Sequence, residues 1–442
     1  MSTAPRSPVV TLDRRHVWHP FTQERTAPDP LEIRAAKDAV LFGADGREYL
    51  DLISSWWVTL HGHAHPAIAD AIGAQAHALE QVIFAGVTHE PAARLAAELA
   101  QRLPGRLERV FFSDDGSTAV EVAMKLACQA AFNRGERRSR FLTFAGGYHG
   151  DTAGAMSAGA ASGFFDAFES MLFEVTALPY PQTWDQDPEV ERKERQALAA
   201  LDSQLEQHAE QIVALLIEPL VQGAGGMRMA RPEFVRAATL RCRAAGVPVI
   251  YDEVMTGFGR TGTLFAAEQV GVAPDIICLS KGLTAGFLAM SVTVCSAAIY
   301  EQFLGDHFDQ AFTHGHSFTA NPLGCAAALA SLTVFDTDHT LQRIQHIADR
   351  HGELAARLER HPRARRARRV RRRGTIIAFD IEDAATGGYQ SALGPKLKAF
   401  FLEQGLLIRP LGNVVYLLPP YCITDAQLDR AYDGIVRALD SV

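Results

Sequence analysis

Val247-Pro248-Val249-Ile250-Tyr251-Asp252-Glu253-Val254 and Ile276-Ile277-Cys278-Leu279-Ser280-Lys281-Gly282 decide how this chain folds. In the first, an apolar run delivers an Asp at its end; in the second, another delivers Ser-Lys-Gly. Short continuous apolar runs bounded by polar residues and glycine read as buried strands of an α/β sheet. Such sheets present their chemistry outside the carboxyl ends of the strands. Asp252 and Lys281 are therefore expected side by side along one sheet edge.

Working outward, the alternation continues. Arg109-Val110-Phe111-Phe112 reads as a strand followed by a helix over 117–132, and Arg140–Phe144 as a strand followed by a Gly-Gly loop. Val213–Ile217 is a strand with a helix at 232–245, and a further strand is expected at 291–295. Strand–loop–helix repetition of this kind implies a mostly parallel sheet wrapped by helices. Ahead of it, residues 39–53 alternate around a Gly43–Gly46 turn and suggest a hairpin, with helices at 66–80 and 90–102. Residues 1–30 read as irregular and 181–206 as a charged surface excursion. After about 335, a polar helix (341–360), strands (375–381 and 414–418) and a closing helix (425–440) read as a smaller α+β domain. The expected division is 1–60 as the N-terminal segment of the small domain, 61–334 as the large domain and 335–442 as the C-terminal part of the small one.

The 442 residues are 48% apolar and 21% charged, which is ordinary for a globular protein, and the formal net charge is -8. That balance argues against a nucleic-acid or membrane partner. Six cysteines stand singly with no CxxC pair, so a zinc site or redox dithiol is not expected and a reducing compartment is. No secretory signal or bilayer-length apolar run is evident, which makes the cytoplasm the default expectation.

An amine and an acid at one sheet edge are what pyridoxal 5′-phosphate requires: the lysine bonds covalently to the cofactor and the acid pairs with its pyridinium nitrogen. Alone, Ser280-Lys281-Gly282 equally describes a lysine reaching from a strand end to water, and Asp252 a helix cap. Two loops add weight. Ser113-Asp114-Asp115-Gly116-Ser117-Thr118 ends a strand and opens a helix, so Gly116 and Ser117 can present backbone N–H groups to a phosphate. Asp114 and Asp115 suit that only if their carboxylates point away. Gly146-Gly147-Tyr148-His149-Gly150-Asp151-Thr152 follows another strand, and its Tyr or His can lie against an aromatic ring.

Other motifs carry less. Arg363–Arg373 holds a dense arginine run that could face a polyanion, although a solvated, partly ion-paired surface accounts for it better. His61-Gly62-His63-Ala64-His65 has no carboxylate or cysteine in ligand spacing, so a turn with one capping histidine is expected. Gly223-Ala224-Gly225-Gly226 lacks dinucleotide-binding spacing.

Taken in order, the Gly-Ser helix opening, Gly147-Tyr148-His149-Gly150, Ile217-Glu218-Pro219, the run Asp252-Glu253-Val254-Met255-Thr256-Gly257-Phe258-Gly259-Arg260-Thr261-Gly262, and Ser280-Lys281-Gly282 resemble the class III aminotransferases. The resemblance spans about His16 to Tyr421 and implies a fold-type I homodimer acting through pyridoxal 5′-phosphate. Within that family, Trp18-His19-Pro20-Phe21-Thr22, Ser54-Ser55-Trp56-Trp57, His314-Gly315-His316-Ser317-Phe318-Thr319 and Ile408-Arg409-Pro410 are most similar to the biotin-pathway branch. That branch carries an amino group from S-adenosylmethionine to 8-amino-7-oxononanoate. The likeness implies that Lys281 and Asp252 are catalytic, and that Gly116, Ser117 and Tyr148, with His316 and Ser317 from a second subunit, bind cofactor. Trp56, Trp57, Tyr148, Gly315 and Arg409 would meet substrate, with the Arg409 guanidinium suited to both oxygens of a carboxylate. Phe21 stands where the pattern carries Tyr, and Gly315-His316-Ser317 where Gly-Pro-Thr is usual. Both features also occur in relatives that take nitrogen from lysine, so the donor stays open between S-adenosylmethionine and lysine. Another ω-amino acid as substrate is a further alternative.

Overall fold

A computed structural model describes residues 6–160, 165–382 and 391–441. Its centre is a seven-stranded sheet in the spatial order Leu107–Ser113, Ser291–Ser296, Ile276–Leu279, Val249–Asp252, Ile212–Ile217, Arg140–Phe144, Val175–Leu178. Neighbours run parallel except Ser291–Ser296, which is antiparallel to both of its partners. Val249–Asp252, Ile276–Leu279 and Ile212–Ile217 are buried at every position, because helices cover both faces. This is the arrangement that continuous apolar runs demand.

One consequence governs everything that follows. Ser113, Phe144, Ile217, Asp252 and Leu279 all lie at strand carboxyl ends, so the segments after them converge. Those segments are the 114–118, 146–152 and 218–223 loops, together with Ser280-Lys281.

Strands from both ends of the chain share a second sheet. Ile33–Lys37, Val40–Gly43 and Glu48–Asp51 form an antiparallel meander, and Leu406–Leu407 adds in parallel to Glu48–Asp51. A third sheet joins Ala367–Arg373, Ile376–Ile381 and Val414–Leu417.

Several sequence expectations need correction. Residues 181–206 are not a mere surface excursion: Val190–His208 is a helix that buries Val190, Ala197, Leu201 and Leu205. The last three recur every fourth residue, one face of a helix, and pack towards Pro232–Ala244. The N-terminal segment is not wholly irregular, since Pro8–His16 is a helix capped by Ser7, whose Oγ accepts from the Val10 N–H. The arginine run does not merely precede a strand; Ala367–Arg373 is itself one. Several of its cations are engaged within the chain. Arg368 pairs with Glu382, Arg371 with Asp380, Arg372 with Asp185, and Arg373 donates to Gln269. Arg371 is buried and also donates to the carbonyls of Gly226, Met227 and Arg369.

Candidate active site

Lys281 sits just past the end of its strand with φ of 43°, in the left-handed region that a side chain with a Cβ occupies only under constraint. Its Nζ lies 5.4 Å from the centre of the Trp57 ring. Burial lowers the Lys281 pKa, opposed by the negative charges of Asp252, Glu218 and Asp115. A buried amine with a depressed pKa is a nucleophile and proton acceptor rather than a fixed cation.

Asp252 faces the same cavity, of about 580 Å³. Its Oδ2 lies 2.7 Å from His149 Nδ1, and its Oδ1 accepts from the Val254 N–H at 3.1 Å. Burial pushes the His149 pKa down, but the hydrogen bond to Asp252 and the charges of Asp252 and Glu218 more than offset this and hold it above its ordinary value. Asp252 is thus held in a fixed orientation, with the His149 ring behind it.

Glu218 was quoted in the sequence only as part of a motif. It accepts from the Tyr148 and Gly223 N–H groups, each at 2.9 Å, and so ties two cavity-lining loops together. Burial and the nearby Asp252 raise its pKa to about 7, with His149 and the two N–H donors working against them.

At the other end of the cavity, Gly116 opens the helix Gly116–Asn133. A Cβ at Gly116 would stand 2.6 Å from Val254 Cγ1, so only glycine lets this turn approach the strand end. Asp115 lines the cavity, and its Oδ1 accepts the Thr118 N–H of the helix at 2.9 Å. Asp114 pairs with His316 Nδ1 at 3.3 Å. Both carboxylates are therefore engaged, leaving the first-turn N–H groups of Gly116 and Ser117 to face an anion. Ser117 Oγ lies 2.8 Å from Thr152 Oγ1 and accepts the Thr152 N–H. Tyr148 lines the wall, its ring stacked on Phe165 at 6.2 Å.

The predicted site residues divide into three groups. Lys281, Asp252, Gly116, Ser117, Tyr148 and Trp57 line this cavity. Trp56 and Arg409 instead line a second one, of about 860 Å³, where the Arg409 guanidinium lies 4.4 Å over the Trp56 ring and Phe21 meets Trp56 edge-on at 5.9 Å. Gly315, His316 and Ser317 line neither within one chain, and Ser317 is exposed. Among the described residues no group of three or more His, Cys, Asp or Glu could hold a metal. The 61–65 histidines confirm no capping role: His65 occupies the N-cap of Pro66–Ala78 without a side-chain bond, and His63 pairs with Asp51.

A covalent amine, a carboxylate for a ring nitrogen, an anion-binding helix start that only glycine permits and a flanking aromatic ring match the donor set of pyridoxal 5′-phosphate. The model for class-III aminotransferases matches residues 22–439, and the chain belongs to that family. It is similar to an adenosylmethionine-8-amino-7-oxononanoate aminotransferase of Synechococcus elongatus, with 53% identity across 97% of this chain and 99% of the relative. The crystal structure of the enzyme of that name from Methanocaldococcus jannaschii superposes with a TM-score of 0.90 at 32% identity, over 98% of this chain and 99% of the other. A thermostable (S)-enantioselective omega-transaminase from Thermomicrobium roseum superposes equally well, at 0.90 and 29% identity over 98% of both chains.

Proposed function

We propose that this aminotransferase converts 8-amino-7-oxononanoate to 7,8-diaminononanoate, a step of biotin biosynthesis, using pyridoxal 5′-phosphate held between Lys281 and Asp252. The observation that carries the chemistry is the buried, pKa-depressed Lys281 facing the same cavity as the His149-backed Asp252. The substrate is supported by the near full-length likeness to the Synechococcus relative.

When bound, the cofactor carries nitrogen from donor to acceptor and takes up the electron pair left on the substrate carbon. Lys281 would hold it through its Nζ, and the same amine is placed to take and return the proton on the substrate carbon. Asp252 holds a proton on the ring nitrogen, and its orientation is set by His149 and the Val254 N–H. Gly116 and Ser117 bind the phosphate through backbone N–H groups. Trp57 shields the Lys281 amine from water on one side. Arg409, lying over Trp56, binds the acceptor carboxylate in the second cavity. Trp56 and Trp57 are neighbours in the chain and line the two cavities, so a keto acid reaching from one to the other would set its carboxylate by Arg409 and its carbonyl by Lys281.

Two copies form the working enzyme, in the cytoplasm. The exposed Ser317 and its neighbour His316 lie outside their own cavity, and we assign them to the phosphate end of the partner's. S-adenosylmethionine is the donor in this reading. Lysine is the second reading, favoured by Phe21, which brings no hydroxyl to Trp56. Turnover of 8-amino-7-oxononanoate with each donor supplied separately decides between them. Product with S-adenosylmethionine is expected; product with lysine alone overturns the donor, and product with neither overturns the substrate.

A further inference from the structure

The tryptophan pair that touches both Lys281 and Arg409 sits on an unusually constrained turn. Ser54, Ser55 and Trp57 have φ of 51°, 59° and 68°. Three residues with side chains in the left-handed region within four positions are strained and persist only where surroundings enforce them. The enforcing contacts can be traced.

The fully buried Asp51 is at the centre. Its Oδ1 accepts the Ile53 N–H at 3.1 Å; its Oδ2 accepts the Ser55 N–H at 2.6 Å and Ser55 Oγ at 3.3 Å. The same Oδ2 lies 2.9 Å from His63 Nε2. His63 is itself pinned by paired backbone hydrogen bonds with Asp38, at 2.7 and 3.2 Å. From the other side, the buried Arg260 donates to the carbonyls of Trp57 and Thr59 and to that of Pro419. Ser54 Oγ donates to the Leu418 carbonyl at 2.7 Å, and Trp57 Nε1 to Tyr416 Oη at 2.9 Å. Among the described residues, Asp51 accepts the Ile53 and Ser55 N–H groups of the turn, and His63 is the side chain outside the turn that bonds to the Asp51 carboxyl.

We propose that Asp51 and His63 are a positioning pair that holds Ser54–Trp57 in its strained form, and so places Trp57 against Lys281 and Trp56 beneath Arg409. This assigns a task to the 61–65 histidine motif, which neither metal binding nor capping explains. Neither residue touches the reacting atoms, and both act through the tryptophans. The proposal rests on the substrate assignment above only for its kinetic arm.

The test compares His63→Phe, which removes the ring nitrogen, with His63→Gln, which retains an N–H donor. Amide hydrogen exchange over residues 53–58 is read in the cofactor-loaded enzyme, alongside KM and kcat for the keto acid. Expected for His63→Phe are exchange in that segment at least tenfold faster and KM about tenfold higher, with kcat changed less than threefold; His63→Gln recovers both within threefold. Unchanged exchange, or acceleration spread evenly over the molecule, overturns the pair as a positioning device. The exchange result does not depend on which keto acid is the substrate, so failure of the substrate assignment leaves this arm readable. Should His63→Phe not fold, Asp51→Asn, whose amide would set a donor against the Ser55 N–H, carries the same expectations.

Discussion

His149 Nδ1 and Asp252 Oδ2 stand 2.7 Å apart, both almost fully enclosed. The imidazole backs the carboxylate that faces the cofactor cavity, so its loss is felt twice. His149→Leu leaves a buried carboxylate without its partner, a change that costs about 3–5 kcal/mol. The expected result is a lower unfolding midpoint in urea and a weaker Kd for pyridoxal 5′-phosphate. His149→Asn, which keeps an N–H donor, should recover part of both. Cofactor affinity equal to the parent's in His149→Leu contradicts this account.

Lys281→Ala removes the amine that anchors the cofactor and moves the substrate proton. Turnover should fall by at least about a thousandfold, since nucleophile and general base are lost together. The visible absorbance of the lysine-linked cofactor should vanish while phosphate-end contacts still hold it. Absorbance titration and single-turnover kinetics check the two losses separately.

Arg409→Ala should weaken the carboxylate-bearing acceptor selectively. A hydrogen bond to a charged group contributes about 1.5–3 kcal/mol, or roughly tenfold to a hundredfold in KM. The KM of a donor that does not use this guanidinium should move far less. Equal losses for both substrates would place Arg409 elsewhere in the reaction.

His351 is wholly buried, bonded to Tyr432 Oη at 2.8 Å and to the Thr375 carbonyl at 3.0 Å, and burial lowers its pKa to about 4. His61 is buried beside Ser331 and lowered likewise, to about 4. Below the ordinary value of 6.5 the unfolded chain takes up protons that the folded chain refuses. Their contribution to stability is therefore complete above 6.5 and declines as pH falls from there towards 4, opposed over much of the same range by Glu218, whose raised pKa acts with the other sign. Each histidine contributes roughly 1.4 kcal/mol per pH unit within that window. Urea unfolding across the window should show the parent losing stability on acidification relative to His351→Asn.

The arginine run gives a negative expectation. With Arg368, Arg371, Arg372 and Arg373 already engaged by acids, amide oxygens and carbonyls, the chain should not be retained on a DNA column at low salt. Salt-dependent retention that Arg368→Glu abolishes would reopen a nucleic-acid role.

Much of this molecule is legible from local pattern. The buried strands announce themselves because both of their faces are covered, so no polar residue interrupts Ile212–Ile217 or Ile276–Leu279. Asp252 and Lys281 follow directly, since strand ends fix where they emerge. The helix Val190–His208 escaped because charge dominates its composition while its apolar face is narrow. Glu218 and His149 were visible as letters, but their partnership with Asp252 depends on three strands meeting and has no signal within any one segment. The separation of Trp56 from Trp57 was hidden for a different reason. Regular alternation cannot foretell a turn with Ser54, Ser55 and Trp57 in the left-handed region, where successive side chains diverge into different cavities.

The two-residue strand Leu406–Leu407, seated beside Glu48–Asp51, makes site assembly wait for a segment synthesised much later. While the chain is still emerging from the ribosome, the segment leading into the tryptophan turn lacks its neighbour, and Leu418 and Pro419 are not yet there to receive Ser54 and Arg260. Long-range pairing of this kind is slow to form. A product that stops short of these residues therefore lacks the contacts that finish its catalytic pocket.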